Sequence, residues 1–325
     1  RYGLPEKIGG WKQLTEAQET LPGVARAQHA FTSFTGEKYV AIGTSQGLFL
    51  YYEGAFYDIS PLDDQVSGTA TFNTVQGSAN VTVNLTSHGL EAGRYITFNT
   101  MSVIPNGFTS STTFTEGAFE IRNVTSNSFD ITTPTVAVNP GGSSTGSATV
   151  QPYEVVGPTF QTAGYGWGTY QWNTGTWGTA RTTSNVILDP GNWSLDNFGE
   201  VLVATIFNGK TFTWNAGAAT PRSFRASTTT TNFNTTNNPT KSRLTLVSDR
   251  DRHLFHFGTE TTIGNSLTQD PMFVRFSNQE DLNTYAPSAT NTAGTFRLDT
   301  GNKIVAAIQG KDYVFCLTDQ AAYVI

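Results

Sequence analysis

Short runs of alternating apolar and polar residues, separated by turn residues, dominate the chain. Three such runs follow one another at 38–42, 48–52 and 55–59, with Ser45-Gln46-Gly47 and Glu53-Gly54 between them. Alternation with a period of two places every second side chain on the same face of a β-strand. Turn residues between consecutive runs favour antiparallel pairing, so this segment predicts a three-stranded meander.

The same pattern returns three times in the second half of the chain. The paired runs are 200–205 with 211–214, 252–257 with 272–276, and 312–317 with 322–325. Asn208-Gly209 joins the first pair, and this dipeptide is typical of tight hairpins because both residues tolerate positive φ. The charges that begin the pairs, Glu200, Asp251 and Asp312, are 51 and 61 residues apart. These intervals suit one β-propeller blade with its loops, since compact blades take about 40–50 residues.

Residues 66–155 interrupt this pattern. Shorter alternating runs lie at 80–83, 95–98, 119–121 and 128–131, and the stretch 139–146 has the Gly- and Ser-rich composition of a linker. We therefore predict an all-β chain in which 1–65 and 156–325 form a β-propeller-type body of repeated antiparallel meanders. Residues 66–155 would form an inserted small β module. Hairpins occur in every all-β protein, so the spacing alone does not decide for a propeller.

The segment 164–181 alternates aromatic residues with Gly and Thr. Its aromatic side chains are Tyr165, Trp167, Tyr170, Trp172 and Trp177. Glycine lets backbones approach closely, and aromatic rings supply contact area at little entropic cost. The segment is therefore either a packed loop or a contact surface, and these five residues are the candidate interface with other copies or partners. Two Thr- and Asn-rich stretches, 226–240 and 284–295, predict long exposed loops.

Composition narrows the range of functions. Only 14% of the residues are charged, against roughly a quarter in average globular proteins, and helix formers are sparse. The net charge of −6 argues against tight DNA binding, which needs an excess of Lys and Arg. The single cysteine, Cys316, cannot form an intrachain disulfide and fits a buried core thiol. No apolar run approaches the roughly 18 residues of a membrane span.

The two ends of the sequence suggest a longer polypeptide. The chain starts at Arg1 and stops within the apolar run 321–325. We expect a fragment whose propeller is incomplete unless further residues close it, because a strand at the end of the chain needs a partner.

Residues able to carry out chemistry are few. His253 and His256 lie three apart on a predicted strand and face opposite sides, so they cannot share a metal; with His29 and His88, they are expected to be structural. Acidic residues could converge near a propeller axis as glycosidase carboxylates do, but Glu280-Asp281 lies in a turn motif where carboxylates accept backbone N–H groups. The acidic candidates are Asp249, Asp251, Glu260, Asp270, Glu280 and Asp281. We find no nucleophile elbow, phosphate loop or cysteine cluster, and predict no enzymatic activity, metal or cofactor.

Several motifs resemble the β-propeller tail proteins of short-tailed bacteriophages. They are Gly3-Leu4-Pro5-Glu6-Lys7-Ile8-Gly9-Gly10-Trp11, Tyr39-Val40-Ala41-Ile42-Gly43-Thr44 with Gly47-Leu48, Trp193-Ser194-Leu195-Asp196-Asn197-Phe198-Gly199-Glu200, Phe276-Ser277-Asn278-Gln279-Glu280-Asp281 and Asn291-Thr292-Ala293-Gly294. The resemblance covers most of the chain except 66–155. Within that insertion, 87–98, 117–121 and 128–129 are similar to a small β module of phage tail proteins and of ubiquitin-activating enzymes.

The resemblance implies a virion structural protein. Six copies would form a ring, the hub or nozzle at the tail tip, which continues and closes the DNA exit channel. The ring would dock to a tail adaptor or portal-side protein above and to tail fibres or a needle outside, with DNA only passing through. It would be assembled in the bacterial cytoplasm. The alternative is a receptor- or carbohydrate-binding tail appendage, in which 164–181 or the inserted module meets the cell surface.

Overall fold

A computed structural model describes residues 20–138, 140–156, 161–163, 184–186, 191–217 and 238–325. In these ranges the regular structure is twenty-two β-strands, one four-residue α-helix and one 3₁₀ helix of three residues. The predicted all-β class is therefore confirmed. Within the same ranges, no helix has the length and apolar character needed to cross a membrane.

The first sheet, called sheet 1, is an antiparallel meander of four strands. Its strands are β1 (Ala25–Thr32), β2 (Lys38–Thr44), β3 (Leu48–Tyr52) and β4 (Ala55–Asp58), paired in chain order. The three predicted strands are confirmed, and β1 is an addition that the pattern did not indicate. Only Phe31 of β1 is buried, so this strand lacks the apolar alternation that identifies the others.

The insertion forms a nearly closed six-stranded sheet, called the inserted barrel. It contains β5 (Val66–Thr74), β6 (Asn80–Leu85), β7 (Tyr95–Met101), α1 (Thr112–Thr115), β8 (Phe119–Glu120), β9 (Ser128–Thr132) and β10 (Gly142–Pro152), in the strand order β8-β7-β10-β5-β6-β9. An isolated bridge between Arg122 and Asp130 brings the two edges together. The barrel encloses its own hydrophobic core, to which Phe72, Phe98 and Phe114 contribute fully buried rings.

The prediction of a linker at 139–146 is wrong. From Gly142 onward this stretch belongs to β10, which at eleven residues pairs with β5 on one side and β7 on the other. Its small side chains alternate between core and solvent, and Thr145 Oγ1 lies 2.9 Å from Thr71 Oγ1 across the strand pair. Small hydroxyl residues can thus form a central strand that pairs with a neighbouring strand on each side. The composition of the segment does not reveal this pairing.

The remaining strands form a ribbon and three further meanders. The ribbon pairs β11 (Gln161–Ala163) with β12 (Ser184–Val186). Sheet 2 contains β13 (Trp193–Phe198), β14 (Val201–Ile206) and β15 (Thr211–Asn215). Sheet 3 contains β16 (Leu244–Val247), β17 (Leu254–Phe257), the 3₁₀ helix Ser266–Thr268, β18 (Phe273–Phe276) and β19 (Gly294–Arg297). Sheet 4 contains β20 (Ile304–Gln309), β21 (Val314–Thr318) and β22 (Ala322–Val324).

All six predicted runs of the second half correspond to strands, but the first strand of each meander was missed. The motif 193–200 was expected at a corner and instead supplies β13. Likewise, 291–294 leads into β19. Both segments form strands through backbone pairing within their own sheets, β13 with β14 and β19 with β18.

The four meanders stack face to face in chain order. One hydrophobic cluster joins sheets 1 and 2, a second joins sheets 2 and 3, and a third joins sheets 3 and 4. The first strands contact one another in sequence, β1 with β13, β13 with β16 and β16 with β20. Adjacent first strands in successive meanders are the arrangement of propeller blades. In the part of the chain that the structure describes, no hydrophobic cluster joins sheet 1 to sheet 4.

The barrel is attached to the body by a polar junction. Leu62 bridges to Tyr153, a fully buried residue whose hydroxyl donates to Asp58 in sheet 1. Arg94 pairs with Asp63 at 2.5 Å, and Lys210 of sheet 2 pairs with Glu154. Val156 lies in the core shared by sheets 1 and 2. The last residues of the predicted module are therefore bound to the body.

Gly43 and Trp193 set the distance between sheets 1 and 2. A Cβ atom at Gly43 would lie 2.8 Å from Trp193 Cβ and closer still to its ring. Gly43→Ala should therefore lower the free energy of unfolding by ~1–3 kcal/mol through overpacking. Urea denaturation measures this loss. The loss should be smaller in a Trp193→Ala background, which lacks the ring, and strictly additive losses in the double variant would contradict the contact.

The junction also defines where the barrel can be removed. Deleting 66–152 and joining Gln65 to Tyr153 through a short Gly/Ser linker should leave a soluble, cooperatively folding body, because the two ends are already adjacent. Deleting 66–155 instead removes Tyr153 and Glu154 and should lower the melting temperature further. Loss of soluble expression with the shorter deletion would show that the barrel is part of the body's core.

Candidate functional site

The strand β13 connects three sheets through its side chains. Trp193, Leu195 and Asn197 face sheet 1, as the period of a strand requires. The Trp193 indole donates to the Thr44 carbonyl at 2.8 Å. Asn197 Oδ1 lies 2.8 Å from His29 Nε2 on β1. This face of the motif therefore joins sheet 2 to the first two strands of sheet 1, β1 and β2.

The opposite face of β13 hydrogen-bonds to the backbone of sheet 3. Ser194 Oγ donates to the Thr245 carbonyl at 2.7 Å, and Asp196 Oδ2 accepts from the Val247 N–H at 2.7 Å. Burial raises the pKa of Asp196, and the hydrogen bonds from the backbone partly oppose that shift. Two short polar side chains thus take the place of a regular strand-to-strand ladder between neighbouring sheets.

A buried polar layer continues from this point between sheets 2 and 3. Ser242 Oγ lies 2.8 Å from His256 Nδ1, and the other ring nitrogen of His256 lies 3.1 Å from the Tyr285 hydroxyl. Nearby, Thr205 Oγ1 lies 2.8 Å from both Thr211 Oγ1 and Thr245 Oγ1. Burial lowers the pKa of His256 to about 3, so the imidazole is neutral under physiological conditions.

Glu260 and Arg275 lie in the same layer and bind mainly backbone. Glu260 Oε1 accepts from the Thr240 N–H at 3.1 Å, and its Oε2 accepts from the Gly264 N–H at 2.8 Å. Arg275 donates to the Thr261 carbonyl at 3.0 Å, and burial lowers its pKa. These two charges organise the segment before β16 and the loop between β17 and β18.

The Ser242–His256 pair has the spacing of a nucleophile and its base, yet it cannot act as one. Both side chains have no accessible surface, so a substrate cannot reach them. A histidine with a pKa of about 3 is also a poor proton acceptor near neutral pH. The arrangement satisfies buried polar groups and joins the segment before β16 to β17 within sheet 3.

The other acidic candidates have separate structural partners or are exposed. Asp281 Oδ1 accepts from the Asn283 N–H at 2.7 Å, as the turn motif predicts. Glu280 pairs with Arg252 at 3.2 Å, and Asp270 pairs with Arg297 at 2.6 Å. Asp249 and Asp251 are exposed. Across the described ranges, no group of three His, Cys, Asp or Glu residues could hold a metal ion.

The histidines and the cysteine have the structural settings expected for them. His253 Nδ1 lies 2.7 Å from the Ser277 carbonyl, on the opposite side of the strand from His256. His88 Nδ1 accepts from the Leu90 N–H in the predicted turn. Cys316 is buried, which raises the pKa of its thiol to about 11. The five aromatic interface candidates, Tyr165, Trp167, Tyr170, Trp172 and Trp177, lie outside the described residues.

The downstream motifs hold one another in place. Asn278 Oδ1 accepts from the N–H of Thr292 at 3.0 Å and from its hydroxyl at 2.9 Å. Ser277 Oγ accepts from the Leu254 N–H at 2.9 Å. Hydrogen bonds therefore join the segments 276–281 and 291–294, which lie at the two ends of the loop between β18 and β19. The first motif, 3–11, lies outside the described residues.

Comparison with known proteins adds little to this description. No known protein family matches the chain, and no curated protein matches it. Among solved structures, an endosialidase of phage phi92 aligns with a TM-score of 0.25 and 13% sequence identity. The alignment covers 89% of this chain, which spans 40% of the length of that protein. Similarity at this level establishes neither a shared fold nor a shared activity.

Burial of His256 should make stability depend on pH. Between about pH 6.5 and pH 3 the unfolded chain binds a proton at this residue that the folded chain does not. The free energy of unfolding should therefore fall on acidification, by about 2 kcal/mol between neutral pH and roughly pH 5. Urea titrations at both pH values measure this loss. It should shrink in His256→Gln and persist in His253→Gln, and equal pH dependence in wild type and His256→Gln would contradict the assignment.

Proposed function

We propose that this chain is a virion structural protein that forms a ring at the tip of a bacteriophage tail and continues and closes the DNA exit channel. The observation that carries the proposal is the role of the motifs that resemble the tail propeller proteins. Side chains of 193–200 join three sheets. A hydrogen bond joins the segments 276–281 and 291–294 at the two ends of one loop. The resemblance therefore lies in residues that carry architecture, as expected for a structural protein.

The chemistry of the described residues agrees with a mechanical role. The Ser242–His256 pair is buried, and Glu260 and Arg275 bind loop backbone. The polar groups most similar to catalytic groups thus stabilise sheet 3 and its loops. A ring at the end of a channel needs rigid blades, and buried hydrogen-bonded polar groups favour one arrangement of the strands and loops.

The net charge of −6 suits a conduit. DNA moving through a channel should not be retained, and an acidic wall repels phosphates over about 8–10 Å at physiological salt. In this proposal six copies form the ring and meet through loops such as 164–181. The ring docks to a tail adaptor or portal-side protein on one side and to fibres or a needle on the other.

The second candidate, a receptor- or carbohydrate-binding tail appendage, is favoured by the outer face of the inserted barrel. Hydroxyl and amide side chains cover the exposed side of β5 and β10: Ser67, Thr69, Thr71, Asn73, Ser143, Thr145, Ser147 and Thr149. Each hydroxyl can donate one hydrogen bond and accept two. A broad neutral surface of this kind is suited to a polyhydroxylated ligand.

The mass of the purified protein in solution and its binding to DNA test the proposed ring. Light scattering of the purified protein should give a cyclic oligomer, with six copies expected, and that oligomer should bind duplex DNA no better than an inert acidic protein. Trp167→Ala with Trp172→Ala should shift the population toward smaller species, because buried aromatic residues dominate interface energies. Thr145→Ala on the barrel is a matched surface control and should leave the mass unchanged.

A monomer that binds polysaccharide would identify the protein as the second candidate, the tail appendage. A protein that stays monomeric at high concentration and binds or cleaves a host polysaccharide would overturn the ring. In that case Thr71→Val with Thr145→Val should weaken polysaccharide binding, since the substitutions remove hydroxyls from the barrel face and nearly conserve volume.

A further inference from the structure

The end of the inserted barrel opposite its junction with the body forms a distinct surface. At the junction lie the start of β5, the start of β7 and the end of β10, and Arg94 pairs there with Asp63. At the opposite ends of these strands lie the segments 75–79, 102–111 and 133–138, together called the barrel tip. Because β5 has nine residues, the tip lies about 25 Å from the junction.

Backbone hydrogen bonds hold the three segments of the tip together. The Gly77 N–H donates to the Ala137 carbonyl at 2.8 Å, and the Ala137 N–H donates to the Ser78 carbonyl at 2.9 Å. The Val138 N–H donates to the Gly107 carbonyl at 2.8 Å. Each segment therefore satisfies part of its backbone through its neighbours, and the three segments form one connected surface.

Exposed aliphatic side chains are concentrated on this surface. Four β-branched side chains of the tip are between 46% and 67% exposed: Val75, Ile104, Val136 and Val138. Ala137 is buried, whereas its two neighbours in the chain turn toward solvent. Exposed apolar side chains that lie together in this way mark a site of contact with a protein or a membrane.

Charge and composition favour a membrane over a protein partner. The segments 65–87, 95–115 and 131–153, which include the tip, contain no Asp, Glu, Lys, Arg or His. Protein interfaces are enriched in aromatic residues, Met and Arg, and the exposed side chains of the tip include none of these. Phe108 packs against the barrel core instead. A neutral surface of aliphatic side chains suits a partner that offers only hydrocarbon.

We propose that the barrel tip enters the interface of a lipid bilayer. Interfacial elements bury their apolar side chains roughly 5–10 Å deep, at the boundary between headgroups and acyl chains. The four aliphatic side chains of the tip would lie there, and the hydrogen bonds between its segments lower the cost of removing their backbone from water. The contact goes beyond the proposed ring, since it requires neither ring closure nor a particular number of copies.

The size and neutrality of the tip set the expected affinity. Four aliphatic side chains carry about as much hydrocarbon as one acyl chain, which gives reversible binding with an association constant of ~10⁴ M⁻¹. Half of the full-length chain should therefore sediment with vesicles at about 0.1–1 mM phosphatidylcholine. Because the tip carries no charge, binding should not fall at high salt and should not increase when anionic phosphatidylglycerol is added.

Substitutions at the tip measure its contribution to binding. Val136→Ser with Val138→Ser removes two aliphatic side chains and should lower vesicle binding about tenfold or more. Val305→Ser with Val324→Ser is the matched control, because these two valines of sheet 4 are similarly exposed, and it should leave vesicle binding unchanged. Thermal melting of both variants verifies that the fold is kept.

A polarity-sensitive label shows which end of the barrel meets the lipid. A nitrobenzoxadiazole fluorophore on Val75→Cys should shift its emission to shorter wavelength when phosphatidylcholine vesicles are added. The same label on Ser67→Cys, at the junction end of the same strand, should not respond. Wild type controls for labelling of the buried Cys316.

The alternative results separate this contact from the proposed ring. Absence of binding to both kinds of vesicle would overturn the contact. Binding that persists in the tip variant, that both labels report equally, or that disappears at high salt would assign the lipid to another surface and overturn it too. A tip variant that changes the mass of the protein, in the absence of vesicle binding, would identify a protein contact instead. A monomer that binds vesicles through the tip would overturn the ring alone.

Discussion

Strand β13 binds sheet 1 with one face and sheet 3 with the other. The arrangement of the rest of the body depends on these two sets of contacts. Because its side chains alternate, Trp193 and Asn197 bind sheet 1 while Ser194 and Asp196 bind sheet 3. Each face of a strand inside the stack lies against a neighbouring sheet. Its backbone groups pair with β14, whereas its polar side chains find partners in the adjacent sheets, and these side-chain contacts fix the relative position of three meanders.

The interfaces along the stack differ in chemistry. Aromatic and aliphatic side chains fill the spaces between sheets 1 and 2 and between sheets 3 and 4. The space between sheets 2 and 3 combines an apolar cluster with the polar layer of Thr205, Thr245 and His256. Apolar interfaces supply most of the burial free energy, whereas a buried hydrogen-bonded layer tolerates few alternative arrangements. The polar interface therefore determines the register of the stack.

The inserted barrel has its own core and yet is not loosely attached. Tyr153 and Val156 belong to the body's contacts, and two ion pairs cross the junction. Arg94 and Asp63 are mostly buried by their neighbours, so their pairing restricts how the barrel can turn. A polar junction of this kind orients a module without merging its core with that of its host.

By itself, the sequence determined the all-β class, the hairpins with strong turn residues, and the structural character of Cys316, His88 and Asp281. These features follow from local alternation and from turn chemistry, which act over a few residues. The long strand β10 and the first strand β13 were decided only by tertiary structure, because their Ser, Thr, Asp and Asn residues become strands through backbone pairing with other strands. The polar layer was likewise hidden: Ser194 and Thr205 are 51 and 40 residues from Thr245 in the chain, and only the stacking of sheets 2 and 3 brings them within hydrogen-bonding distance. The physical reason is that a polar side chain can be buried favourably only where it finds a hydrogen-bond partner. The position of that partner is set by the folded stack of sheets.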